Sequence, residues 1–192
     1  KKIITTFGLG ILPFILLAQA GHIMQGLGAT NMSMGGAATA QPIDINGALQ
    51  WNPAGLSAFD SKIISANAGL FFSSPVLSST VPTSNGPFSG VTKDARGVSI
   101  MPALAMVWGK KDSKHTFGVS AFGISGFGVT FPQSNTNPIN MPQSSGGFGR
   151  IQSDYQLLQV GLAYSYKISK QFSIGLQPNF DYATLKLAPN PL

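Results

Sequence analysis

Tyr155-Gln156-Leu157-Leu158-Gln159-Val160-Gly161-Leu162-Ala163-Tyr164-Ser165-Tyr166-Lys167-Ile168 decides the fold. Leu158, Val160, Leu162, Tyr164, Tyr166 and Ile168 fall on one side of an extended chain, with Gln159, Gly161, Ser165 and Lys167 on the other. Alternation at a period of two marks a strand with one apolar face. The neighbouring stretch 172–187 repeats it, setting Phe172, Ile174, Leu176, Phe180 and Tyr182 against Ser173, Gln177, Asn179 and Asp181. Upstream, residues 116–131 put Phe117, Val119, Ala121, Phe127, Val129 and Phe131 on one face. Residues 98–108 do the same with Val98, Ile100, Pro102, Leu104, Met106 and Trp108. From Lys62 onward, Ile64, Ala66, Ala68, Leu70 and Phe72 alternate with Ser65, Asn67 and Gly69.

The connections between these stretches alternate in length. Residues 73–97 and 132–154 are long and rich in Pro, Ser and Gly, whereas 109–115 and 169–171 are short and polar. Transmembrane β-barrels show this rhythm, with long loops outside and short turns on the periplasmic side. A soluble sandwich has no reason to alternate so regularly. The charged fraction is only 9%, far below the roughly 25% of an ordinary soluble domain, and there is no Glu. By parity Lys62 and Lys186 face lipid, but both sit at strand ends, where a charge is cheap. Asp181 and Lys167 fall on the other face. Trp108, Tyr164 and Tyr166 suit an interfacial girdle. The expected fold is an all-β transmembrane antiparallel β-barrel of which about five strands are present. Five strands cannot close without leaving an edge in lipid, so further strands are expected beyond Leu192.

The other end of the chain reads as an export signal. Lys1-Lys2 precede an apolar run through Leu17, and Ala18-Gln19-Ala20 forms a small-residue cleavage site, so residues 1–20 are expected to be a signal peptide. Residues 21–61 are rich in small residues and show little alternation; they are expected to form a plug ahead of the first strand. Residues 62–192 are then the first strands of the barrel.

Little supports chemistry. With no Cys and only His22 and His115, neither a metal site nor a nucleophile with a positioned base is expected. No cofactor is expected, and the protein is not read as an enzyme. Lys110, Lys111 and Lys114 read as a solvated turn and not as a nucleic-acid surface.

Following the inward parity towards the long-loop ends gives Phe71, Met101, Ile124, Leu157 and Leu185 as lumen-facing residues. Nearer the short turns that face carries Ser65, Asn67, Ser120, Gln159, Ser165, Gln177 and Asn179. A water-filled porin keeps its lumen polar, so the apolar patch points to a binding site for a hydrophobic molecule. A general porin or a structural barrel is the alternative, and the segment ahead of the first strand distinguishes them, because a porin is plugged by an infolded loop.

Gly26-Leu27-Gly28-Ala29, Met34-Gly35-Gly36-Ala37-Ala38 and Trp51-Asn52-Pro53-Ala54-Gly55-Leu56 together resemble the N-terminal hatch of the FadL-type outer-membrane transporters of long-chain fatty acids and aromatic hydrocarbons. The resemblance covers nearly all of the chain after residue 20. It implies a barrel of about fourteen strands, within the usual range for such proteins, sitting as a monomer in the lipid of the Gram-negative outer membrane. It also implies uptake of a fatty acid or aromatic hydrocarbon that leaves sideways through a kink in the third strand. Asn52, Pro53 and Ala54 would be the hatch motif. Gly123, Gly126 and Gly128 are the candidates for the kink, since glycine in a strand permits a bulge. A shift of the hatch near residues 21–28 would empty the pocket.

Overall fold

The computed structural model describes residues 23–189; the expected signal peptide lies outside the described residues. Among the described residues there are eight strands: β1 (Lys62–Phe71), β2 (Val76–Thr83), β3 (Gly86–Lys93), β4 (Ser99–Trp108), β5 (His115–Phe131), β6 (Ile151–Lys167), β7 (Ser173–Leu176) and β8 (Asn179–Ala188). A six-stranded antiparallel sheet runs β1-β4-β5-β6, with β7 and β8 both on the far side of β6. This wall belongs to an all-β architecture, and its strands meet through the alternately long and short connections read from the sequence.

The wall has an apolar outer face and a packed inner one. On the outer face Ile64, Ile100 and Tyr182 are each 69% exposed, alongside Leu70, Leu104, Leu162 and Phe180. A soluble protein rarely leaves so large a contiguous apolar face in water, whereas a membrane-spanning sheet presents such a face to lipid. On the inner face Ala103, Ala105, Val107, Phe122 and Ala163 are buried beneath residues of the N-terminal segment. That segment contains helices α1 (Ala29–Ser33) and α2 (Ile45–Trp51) and a 3-10 turn, Pro53–Ala58. Asp44 caps α2 by accepting the Gly47 N–H at 2.8 Å, which satisfies one of the free donors at a helix start.

Four expectations need correction. Residues 73–97 are not an irregular loop: β2 and β3 form a separate hairpin closed around Ser84-Asn85. The Asn85-Gly86 pair, a strong hairpin marker, is the signal that the Pro- and Ser-rich composition obscured. β6 begins at Ile151, four residues before the expected start, because its first turn of ladder pairs with the far end of β5. The stretch 172–187 is two strands, interrupted at Gln177-Pro178. Proline has no N–H for a ladder, although its carbonyl still accepts from Leu162 N at 3.2 Å.

The fourth correction concerns β5. Gly123 pairs with Leu158 and Ser125 with Leu157, leaving Ile124 as a bulge. An extra residue reverses every later side chain. Phe127, Val129 and Phe131, expected on the lipid face, therefore share the inner face with their partners Tyr155, Ser153 and Ile151.

Candidate functional site

Asn52 ends α2 and starts the 3-10 turn. Its side-chain oxygen accepts the Ala54 N–H at 3.2 Å, and its amide donates to the Thr39 carbonyl at 2.7 Å. Pro53 follows at the first turn position, where a missing N–H costs nothing. The turn lies flat on the wall. The Ala54 carbonyl accepts from the Ser165 hydroxyl at 2.9 Å, and the Ser57 and Ser173 hydroxyls are 2.7 Å apart. The Gln177 amide, at the break between β7 and β8, donates to the Leu49 carbonyl at 2.7 Å. Gly175 permits this approach, since a Cβ there would collide with the Pro53–Ala54 backbone. Above the turn, Leu27, Ile45, Leu49 and Leu56 pack onto the inner wall. Each fully buried side chain of this kind contributes roughly 1.5–3 kcal/mol.

Ile124 is where the segment meets the irregular strand. The bulged residue is buried, and its carbonyl accepts the Met24 N–H at 2.8 Å. The Met24 carbonyl in turn accepts from the Gln50 amide at 2.9 Å, so α2 supports the contact.

The wall parts beside this bulge. β4 pairs with β5 only from Ala103–Phe122 to Trp108–Phe117, and Ser99–Pro102 have no partner on β5. Higher up, residues 94–96 take β4's place: Ala95 N donates to the Thr130 carbonyl at 2.8 Å, and Thr130 N to the Asp94 carboxylate at 2.6 Å. Between these two tied regions lies a cleft of about 580 Å³ bounded by Ile100, Pro102, Gly123, Leu158 and Tyr182, with Arg96 and Asp154 at its rim. Gly123 and Gly126 let the strands cross closely here. A Cβ on Gly123 would lie 2.9 Å from Pro102, and one on Gly126 would lie 3.2 Å from the Met101 side chain. Gly128 sits further up, against Arg96.

A second hollow, of about 860 Å³, opens on the inner face at the long-loop end. Phe71, Leu157 and Leu185 line it together with Phe127, Tyr155 and Ile23. Phe71 and Phe127 meet edge to face, with centroids 5.0 Å apart. Leu157 borders both this groove and the wall cleft. The structure thus brings three of the five lumen candidates into one groove. Met101 and Ile124 instead lie buried under the N-terminal segment. Sequence reading missed Phe127 and Tyr155: the first was assigned to the wrong face, and the second stood at a strand end. It also missed Arg96 and Asp154, both assigned to loops.

A sequence profile of the outer-membrane transport proteins described as OMPP1/FadL/TodX matches residues 17–190. The chain belongs to that family. Its members are transporters of the outer membrane and not enzymes. Comparison with curated proteins returned no match. Among solved structures, the toluene transporter TodX of P. putida superposes with a TM-score of 0.61 at 26% identity. The alignment covers 85% of this chain and 37% of the transporter, so the wall described here corresponds to somewhat over a third of that protein. The match agrees with the expected fold class: the antiparallel wall corresponds to part of a FadL/TodX-type β-barrel.

Proposed function

We propose that the full-length protein carries hydrophobic molecules inward across the outer membrane. The substrate sits in the groove lined by Phe71, Phe127, Tyr155, Leu157 and Leu185 and leaves through the cleft between β4 and β5. The N-terminal segment acts as a hatch. The observation that carries this reading is the Met24–Ile124 hydrogen bond, which ties the start of the hatch to the bulge separating groove from cleft. A shift of residues 23–28 would remove Ile23 from the groove lining and release the bulge.

Energetics call for such a moving part. Burial of an acyl chain contributes about 0.8 kcal/mol per methylene, so a long ligand would leave a rigid pocket slowly. Among the described residues the groove lining carries no basic side chain to pair with a carboxylate. The likeness to a toluene transporter favours an uncharged aromatic hydrocarbon over a fatty acid as the preferred substrate.

The test is uptake by Gram-negative cells that lack their own hydrophobe transporter and receive the full-length gene. Labelled toluene, oleate and a small sugar are compared. Toluene entry above oleate, without sugar, is the expected result. Sugar entry would mean an open pore and overturn the hatch. Oleate entry without toluene would overturn the substrate preference and leave the route intact.

A further inference from the structure

Arg96 belongs to no strand, yet it reaches three. Its guanidinium donates through Nη2 and Nε to one Asp154 carboxylate oxygen on β6, at 2.8 and 3.3 Å. Nη2 also donates to the Gly126 carbonyl of β5 at 3.0 Å, and Nη1 contacts the Ser99 hydroxyl at the start of β4. The pair is largely shielded, with 10% and 16% of the two side chains exposed. Charged groups in such a place are retained at a cost in solvation, which tight and multiple hydrogen bonding offsets.

The glycines of β5 make the lane in which this side chain lies. A Cβ on Gly128 would collide with the Ser153–Asp154 backbone of β6 and come within 2.9 Å of the Arg96 Nε, so the missing side chain admits both the neighbouring strand and the guanidinium. The side chain therefore crosses the outer surface of β5 from the lead-in of β4 to β6. It spans the level where β4 and β5 have stopped pairing, and it forms part of the rim of the 580 Å³ cleft. Asp154 also stands opposite Lys186 of β8 in register.

We propose that Arg96, bolted to Asp154 across β5, caps the cleft between β4 and β5 and so sets the largest hydrophobic molecule that can pass through the wall. The inference rests on the lateral route proposed above. A planar guanidinium holding three partners is a rigid crossbar, and with it in place the cleft cannot extend towards the long-loop end. Without it, only the Ala95 and Asp94 bonds to Thr130 hold residues 94–96 to β5, and the opening lengthens along the strand up to that point. Size selection at this point is independent of the groove, whose lining Arg96 does not join.

The test uses the full-length protein in transporter-deficient cells and compares uptake of toluene with that of the bulkier pyrene. In Arg96→Ala the ratio of pyrene to toluene uptake should rise severalfold. Arg96→Lys, which keeps the charge but not the fork, should give a smaller rise, and so should Asp154→Asn. Folding is checked by the heat-dependent gel mobility of the barrel. If Arg96→Ala does not fold, the two conservative variants decide the question on the same ratio. An unchanged ratio in folded variants overturns the inference while leaving the lateral route standing. Entry of neither hydrocarbon through the wild-type protein, with oleate excluded as well, overturns the route and the inference together.

Discussion

Asn52 shows how one side chain can hold a turn and anchor it at once. Its oxygen caps the 3-10 turn at Ala54 N, and its amide reaches back to the Thr39 carbonyl. Replacing a capping Asn with Ala typically costs about 0.5–2 kcal/mol, and a lost hydrogen bond elsewhere about 1 kcal/mol. Asn52→Ala should therefore loosen residues 39–58 while the strands remain paired. Hydrogen exchange reads this directly: amides of residues 54–58 should exchange roughly tenfold faster or more, in keeping with 1.4 kcal/mol per decade. Protection unchanged from the wild type would show that wall contacts alone hold the turn. The Asn52-Pro53-Ala54 sequence is legible as a turn, because Asn-Pro commonly starts one. Its partners Thr39 and Ser165 are not, because they come to it from distant stretches of chain.

The bulge in β5 decides more than any other single element. Ile124 interrupts the ladder to β6, turns Phe127 inward towards Phe71, and offers its carbonyl to Met24. Deleting Ile124 would let Gly123 and Ser125 follow one another opposite Leu158 and Leu157, so that β5 pairs without a break. The straightened strand could then extend its pairing with β4 past Phe122. Uptake should fall to the background of cells without the protein, while the barrel keeps its heat-dependent mobility. Full uptake by the deletion variant would exclude the cleft as the exit. The run Gly123-Ile124-Ser125-Gly126-Phe127-Gly128 announced an irregular strand, since glycines weaken a ladder. Which residue bulges is a matter of register with β6, and no local pattern contains that.

Across the molecule, the N-terminal segment is held unevenly. Residues 52–58 are hydrogen-bonded to β6 and β7 through Ser165 and Ser173, while residues 23–28 reach the wall through the Met24–Ile124 hydrogen bond and the packing of Leu27. The proposed hatch movement is therefore expected to be confined to the leading residues. A disulfide between Ser57→Cys and Ser173→Cys is a clean probe, because the chain has no cysteine of its own. Oxidised, this variant should transport as well as the reduced form, since it locks only the part that stays. Uptake that disappears on oxidation and returns with reductant would mean that the whole segment must leave the wall.

The positions of the wall strands, the apolar faces of β1, β4 and β6 and the rhythm of long and short connections were determined by the sequence alone. Side-chain direction in a strand alternates residue by residue, so the pattern is local and survives any tertiary arrangement. The lipid-facing side of β1, β4 and β6 follows from it directly. Tertiary structure decided the rest. The reversal of Phe127, Val129 and Phe131 depends on pairing with β6. The burial of Met101 and Ile124 depends on a segment that folds back from the other end of the chain. The meeting of Arg96 with Asp154 joins residues 58 positions apart. Each of these depends on which strand lies beside which and in what register, and only the folded wall brings those partners together.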